Sequence, residues 1–195
     1  MMDKLTRDDL YSLEEYAKLR SDLRARAVEH KKHRKIPLGP HATVYFEDRT
    51  TMQYQVQEML RAERIFEPEG IDDELAAYNP LIPDGSNWKA TFMIEYEDVE
   101  ERKTRLQELI GIEDTVWVQL GGHDKVYPIA DEDMERDTGD KTSTVHFMRW
   151  ELTPEMVRAV KAGASIAMGI EHENYTHVVE AVPEDVRESL AADLD

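Results

Sequence analysis

The sequence predicts an α+β protein in which a mainly helical part is followed by an antiparallel β-sheet with inserted helices. Apolar residues recur at helical spacing between Leu10 and Ala27, whereas from Lys89 onward they alternate with polar residues, as strands do. Few of the predicted connections have the length of a parallel crossover. We therefore expect a single domain over residues 1–195, with residues 1–85 mainly helical and residues 86–195 rich in sheet.

The first helix is predicted from a capping signal and from the charge at its end. Thr6 and Asp9 have the spacing of a capping box, with Asp in place of Glu. A basic run at 31–35 suits the C-terminal end of a helix dipole, and Pro37 prevents continuation. Segment 18–35 has eight basic and two acidic residues. This segment is either a solvated helix face that can also pair with acidic residues elsewhere in the chain, or a docking surface for an acidic protein.

The second helix follows a short strand predicted at 43–46. Thr50 and Gln53 have capping-box spacing and predict the start of this helix, and the segment 68–70, with its proline and glycine, predicts its end. A short helical turn is expected at 72–77, before a loop that contains two prolines.

The sheet-rich part alternates strands with helices. Strands are expected at 89–96, 115–120, 143–152, 164–170 and 175–182, with 126–129 returning as the hairpin partner of 115–120. A helix is expected at 99–110, and two more open at Thr153-Pro154 and at Pro183, since proline suits the first helical turn. The last two strands form a hairpin around 172–174.

The charge and the lack of cysteine exclude several classes of function. The chain has 42 acidic and 24 basic residues and therefore a net charge of −18. This charge repels nucleic acid and anionic membranes. It also suits a protein from a salt-tolerant host. With no cysteine there are no disulfides, thiol catalysts or Cys-bound clusters. No signal peptide or membrane-spanning stretch is visible, so we expect a cytoplasmic protein. No phosphate loop, dinucleotide fingerprint or nucleophile-elbow motif occurs.

His146 is the first candidate for a functional residue. Its predicted strand places it on the more apolar face, together with Met148 and Trp150. A histidine there is either a core residue bonded to a carbonyl or carboxylate, or a ligand or general base.

A second group of candidates lies in the last hairpin. Glu171, His172 and His177 could join His146 to supply nitrogen and oxygen ligands for a divalent transition metal. The segment lacks the ligand spacings of diiron helices and zinc proteases. The alternative is that these histidines and carboxylates are polar residues of a turn that is exposed to water.

The acidic loop and the second helix each carry a further pattern of polar residues. The acidic loop 130–140 lacks an EF-hand, because Arg136 stands where glycine is needed and Thr142 where glutamate is needed. On the second helix, Gln53, Gln57, Arg61 and Arg64 share a face that suits either a small anionic ligand or Arg–Glu pairing.

Four segments in order resemble the DUF3501 proteins, a bacterial family of unknown function. They are 44–51 (VYFEDRTT), 55–63 (QVQEMLRAE), 78–83 (YNPLIP) and 141–147 (KTSTVHF). The likeness spans most of the chain, although position 48 is Asp where the family typically has Asn. Genes of this family are often found beside those for rubrerythrin and iron–sulfur oxidoreductases, so the resemblance implies a role near iron or peroxide chemistry. It also implies a shared site among the matched polar residues Glu47, Glu58, Arg61, Glu63, Lys141 and His146.

Three hypotheses of function follow. The first is a non-redox accessory protein that binds a protein partner or a small ligand in an iron or peroxide-stress setting. The second is a transition-metal-dependent enzyme built on His146 and the hairpin at 171–177. The third is a structural homo-oligomer.

Overall fold

The computed structural model describes residues 3–195, which form two antiparallel sheets and six α-helices. The helices are α1 Leu13–Lys32, α2 Arg49–Glu63, α3 Pro68–Tyr78, α4 Val99–Glu108, α5 Pro154–Lys161 and α6 Glu184–Ala191. The strands are β1 Lys35–Pro37, β2 Ala42–Glu47, β3 Asn87–Ile94, β4 Val116–Leu120, β5 Ile129–Ala130, β6 Val145–Glu151, β7 Ile166–His172 and β8 Tyr175–Val179. The predicted α+β class is confirmed.

The larger sheet has five strands in the order β1-β2-β3-β6-β5, with every neighbouring pair antiparallel. Its register places Glu47 opposite Lys89 and Phe92 opposite His146. Because side chains alternate along a strand, Phe92 and His146 lie on the buried face, whereas Glu47, Lys89 and Phe147 lie on the other face. We call that second surface the outer face.

The smaller sheet has three strands in the order β4-β7-β8. The main core contains buried side chains of both sheets, among them Phe92, Trp150, Val118 and Met168, and Leu190 of α6 belongs to the same cluster. Most of the buried apolar side chains therefore pack between the two sheets and the helices α4–α6.

The helices α1–α3 form a separate layer over the outer face. A second apolar cluster holds this layer together through Val56 and Leu60 of α2, Leu75 of α3, and Leu5 and Ile82 outside the helices. None of the helices within residues 3–195 is long and apolar enough to cross a membrane.

The predicted start of the first helix was wrong. Thr6 and Asp9 do form a capping box, but it caps a short 3-10 turn. The helix α1 begins after Ser12, whose side chain accepts from Glu15 N while Glu15 reaches back to it. Two capping boxes lie close together here, and only the second is followed by a long uninterrupted helix.

Three boundaries near the second helix were also wrong. The N-cap of α2 is Asp48, which pairs with Thr51, so the predicted Thr50–Gln53 box is not used. The helix ends at Glu63, because Arg64 adopts a left-handed conformation with φ 56°. Pro68 begins α3 and does not end α2, as suits proline in a first helical turn.

The sheet-rich part was predicted more closely. The strands, the last hairpin and the helices opening at Thr153-Pro154 and Pro183 are confirmed within a few residues. The prediction that 126–129 pairs with β4 as a hairpin strand was wrong, because the two segments share one isolated bridge, between Val126 and Val118. Ile129 instead pairs with β6 in the other sheet.

Candidate functional site

Two adjoining cavities lie between the helical layer and the outer face, with volumes of about 770 and about 320 Å³. They share Tyr78, Leu81 and Phe147 in their walls, and we call them together the outer groove. The polar side chains that line the smaller cavity are Lys31, Tyr45, Glu47, Gln55 and Thr91. A groove of this size with a few converging polar groups is typical of a small-molecule site.

Glu47 is the most buried charged residue in the wall of the outer groove. Its side chain receives one hydrogen bond, from Thr91 Oγ1 to Oε1 at 2.7 Å, and only 7% of the residue is exposed. Within residues 3–195, no cation lies within 4.0 Å of its carboxylate. Glu47 is thus a buried acid with one neutral partner.

Lys89 would be the natural partner of Glu47, because the two residues are opposite each other in the β2–β3 register. Lys89 Nζ instead donates to the Pro80 carbonyl at 2.5 Å. Burial lowers the pKa of Lys89. The carboxylate of Glu47 therefore keeps a free side toward the cavity.

The backbone around Glu47 is held on both sides. Its carbonyl accepts from Arg34 Nη2 at 3.2 Å, and the next residue, Asp48, caps α2. Phe46 O accepts from Arg34 Nε at 3.0 Å. These bonds fix the end of β2 against the start of α2, so the orientation of the Glu47 side chain is set before a ligand arrives.

Apolar and aromatic side chains from both the sheet and the helical layer also line the outer groove. On the sheet side, Phe147 carries the guanidinium of Arg136 at 4.6 Å from its ring centroid, and on the helical side lie Tyr78 and Leu81. Burial raises the pKa of the Tyr45 phenol, which therefore stays a neutral hydrogen-bonding group at pH 7.

A second polar cluster lies on the buried face around His146, which is fully buried. His146 Nδ1 lies 2.6 Å from Asp131 Oδ2, and Phe147 N donates to the other oxygen of Asp131 at 2.9 Å. His146 Nε2 lies 2.9 Å from Thr142 Oγ1 and 3.2 Å from Ser143 O. The histidine is thus tied to side chains as well as to the main chain.

Two more carboxylates approach the Nε2 side of this ring. Asp137 Oδ1 accepts from Thr142 Oγ1 at 2.6 Å, and Glu113 Oε2 lies 3.9 Å from His146 Nε2. Glu113 Oε2 is buried and has no hydrogen-bond partner among the described residues. Burial raises the pKa of Glu113.

The residues matched to the family do not form one site. Glu58 joins α1 to α2: it accepts from Arg20 at 2.8 and 2.9 Å and from Tyr16 at 2.7 Å. The hydrogen bonds from Arg20 lower the pKa of Glu58 to about 2. Arg61, Glu63 and Lys141 are exposed, and none of them lines the outer groove.

The two glutamines of the predicted ligand-binding face of α2 hold the N-terminal segment. Gln53 donates to Asp9 O at 2.6 Å, and Gln57 bonds the main chain of Tyr11 in both directions. The small anionic ligand expected on this face stays a prediction, with Arg61 and Arg64 as its exposed cations.

The predicted metal ligands of the last hairpin are not brought to His146. Glu171 binds Lys125 Nζ at 2.6 Å and accepts from the Tyr127 hydroxyl. His172 Nε2 donates to Ile110 O at 3.1 Å, and Asn174 N donates to its Nδ1 at 3.2 Å. Within residues 3–195, the cluster with metal-ligand spacing consists of Glu113, Asp137 and His146, and it includes neither His172 nor His177.

Sequence reasoning missed Glu113, and it weighed Asp131 and Asp137 only as calcium ligands. No local pattern marks Glu113, which lies in a 3-10 turn after Gly111. Asp131 and Asp137 stand in a loop that approaches His146 only because β5 pairs with β6. Such contacts depend on which strands pair, and the local sequence around each residue does not predict that pairing.

These features define a two-sheet α+β protein with a helical layer and a polar-lined groove beneath it. A family model described as a protein of unknown function, DUF3501, matches residues 4–194. The chain therefore belongs to the DUF3501 family.

A solved structure is similar to this chain over nearly the whole length of both chains. It is the crystal structure at 1.90 Å of a novel protein of unknown function from Burkholderia pseudomallei K96243. That protein is 49% identical, with a TM-score of 0.94 over 99% of this chain and 100% of the other. No curated protein matches the sequence significantly.

Proposed function

We propose that this protein is a non-redox binding protein that holds a small molecule with a cationic head and a flat apolar body in the outer groove. The observation that carries this proposal is Glu47, a carboxylate that is nearly buried, has one neutral hydrogen bond and opens onto a cavity.

The electrostatics of Glu47 favour a cationic head group. A buried carboxylate without a cation is costly, and a hydrogen bond to a charged partner stabilises by about 1.5–3 kcal/mol. A ligand ammonium beside Glu47 would supply that partner. The net charge of −18 attracts cations toward the groove and repels anions.

The walls of the groove favour a flat apolar body. Phe147, Tyr78 and Leu81 line both cavities and can cover a ring of the ligand on one side. The volumes of about 320 and about 770 Å³ suit a molecule of ordinary metabolite or drug size.

The biological setting that we propose comes from the family resemblance and from the sequence. A role near iron or peroxide chemistry follows from the family resemblance alone, and a cytoplasmic location follows from the sequence expectation. Lacking cysteine, the chain has no thiolates to hold a cluster or pass electrons, so binding is the role we assign to it.

Two indole probes of opposite charge test the proposal. We expect tryptamine, a cation, to bind more tightly than indole-3-acetate, an anion, in titrations followed by amide chemical shifts of the ¹⁵N-labelled protein. The shifts should map to β2, β3 and the segment 78–81. Glu47→Gln should weaken tryptamine binding at least about tenfold, because it removes a charge-assisted hydrogen bond.

Glu63→Gln is the matched control, since it makes the same change at an exposed glutamate of α2. It should bind tryptamine like the wild type. Equal affinity of the two probes, or a Glu47→Gln variant that binds tryptamine unchanged, would refute the proposal.

A further inference from the structure

The cluster around His146 lies on the buried face of the five-stranded sheet, away from the outer groove. Its Nδ1 is held by Asp131, which leaves Nε2 as the atom that faces the remaining groups. Around Nε2 lie Thr142 Oγ1 at 2.9 Å, Ser143 O at 3.2 Å and Glu113 Oε2 at 3.9 Å.

All of these neighbours of Nε2 present oxygen acceptors. The Thr142 hydroxyl donates to Asp137 at 2.6 Å, so its oxygen accepts from the His146 side. A carbonyl and a carboxylate complete the set. A position surrounded in this way by acceptors calls for a donor or a cation, either an N–H at Nε2 or a metal ion in its place.

Glu113 is the independent sign of a ligand. Its Oε2 is buried without a hydrogen-bond partner among residues 3–195, although buried polar atoms are almost always satisfied. This oxygen is also the one that lies 3.9 Å from His146 Nε2. Even with a proton on Nε2, the distance between Nε2 and Glu113 Oε2 is too long for a hydrogen bond, so this oxygen stays without a partner among the described residues.

We propose that Glu113, Asp137 and His146 form a binding site for one divalent first-row transition-metal ion. One ligand atom from each residue lies within 4.8 Å of the others. Two atoms bound at about 2.1 Å to a tetrahedral ion are about 3.4 Å apart, so small side-chain shifts close the site.

The donor set indicates the class of metal. One imidazole and two carboxylates suit zinc, manganese or ferrous iron, and three protein ligands leave a position open for water or a substrate atom. Asp131 holds the other ring nitrogen at 2.6 Å, the carboxylate–histidine arrangement that orients metal ligands in many sites.

Cobalt(II) is the probe we choose, because its visible spectrum reports coordination number and ligand type. Metal-free protein titrated with Co²⁺ should bind one equivalent and develop the bands of a four- or five-coordinate site, and Zn²⁺ should displace it. Glu113→Gln and Asp137→Asn should each weaken Co²⁺ binding more than about 100-fold, beyond what loss of an outer-shell partner causes.

Asp114→Asn is the matched control, since it removes one exposed carboxylate next to Glu113. It should bind Co²⁺ like the wild type. Circular dichroism should show that Glu113→Gln is folded, because the change replaces a carboxylate whose buried Oε2 has no hydrogen-bond partner among the described residues; if it is not folded, Asp137→Asn decides.

Three results would overturn the inference. The wild type could bind no stoichiometric Co²⁺, it could give only the spectrum of a six-coordinate aqua ion, or the folded Glu113 or Asp137 variant could bind as tightly as the wild type. The last result would place the ion on the acidic surface. None of them bears on tryptamine binding at Glu47, so the two proposals fail separately.

Discussion

At the scale of single residues, three carboxyl side chains with little exposure differ in what pairs with them. Asp193 Oδ2 contacts Arg34 Nη2 at 2.5 Å, Glu47 has one neutral hydrogen bond, and Glu113 Oε2 has no partner among the described residues. Burying a charge is costly unless a partner compensates for it, so the different partners of these residues give them different roles. Asp193 makes stability depend on pH, Glu47 favours a cationic ligand, and Glu113 favours a metal ion.

Asp193 is expected to make the protein less stable as the pH rises through the mildly acidic range. Burial raises its pKa to about 6, although Arg34 acts in the opposite direction. Between about pH 4, where the unfolded carboxyl titrates, and about pH 6, only the folded state keeps the proton. The contribution of Asp193 to the free energy of unfolding should therefore fall by about 3 kcal/mol over this window and stay level above it.

Urea unfolding of the wild type and of Asp193→Asn at several pH values measures this effect. The difference in unfolding free energy between the two should carry the pH dependence. Asp22→Asn, at an exposed position of α1, should show a constant difference from the wild type. A difference for Asp193→Asn that is flat between pH 4 and 6 would contradict the raised pKa.

Residue-scale features could be predicted in part from the sequence. Strand alternation was enough to place His146 on the buried face, since the period of two is a local property. The importance of Glu47 came from the family resemblance and not from any pattern. Glu113 could not be found, because its neighbours Asp137 and His146 are distant in sequence and meet only in the folded chain.

At the scale of elements, the close packing of β4 against β7 depends on a single glycine. A Cβ added at Gly169 would lie 2.5 Å from Trp117 Cζ2 and 2.7 Å from His177 O. Contacts this short require the sheet to shift. Gly169 thus makes room for Trp117 of the neighbouring strand.

Gly169→Ala should destabilise the protein by about 1–3 kcal/mol, the usual effect of overfilling a packed core. Thermal or urea unfolding measures the change. Gly139→Ala is the control, because a Cβ there meets nothing within 4 Å. Equal stability of the two variants would show that Trp117 does not need this space.

Element boundaries were predictable where the signal is local. Thr153 and Pro154 begin α5 as expected, since a cap and a first-turn proline act within one turn. The sequence does not predict the strand β1, Lys35–Pro37, because a proline after a helix indicates only that the helix ends. Pro37 ends a short strand at the sheet edge, where its missing N–H does not interrupt a ladder.

At the scale of the whole molecule, Arg34 links the helical layer to the rest of the fold. It follows α1, is 2% exposed, and bonds Phe46 O and Asp193 as well as Ser189 Oγ at 3.0 Å. The N-terminal helices, the five-stranded sheet and the C-terminal helix thus meet at one guanidinium. The single domain expected over residues 1–195 stays a prediction that this link supports.

Calorimetry should show one cooperative unfolding transition, with the calorimetric and van't Hoff enthalpies equal. Arg34→Met should lower the unfolding free energy by about 3–5 kcal/mol, because it leaves Asp193 buried without its cation. The transition should stay single in the variant. Two separate transitions in the wild type would contradict a single domain.

The central claim, that Glu47 recognises a cationic ligand in the outer groove, is tested most directly by a crystal structure of the tryptamine complex. We expect the ammonium nitrogen within about 3 Å of a Glu47 carboxylate oxygen, with the indole ring against Phe147 and Tyr78. Tryptamine bound only through surface carboxylates of the loop 131–140, with the groove containing solvent alone, would contradict the claim.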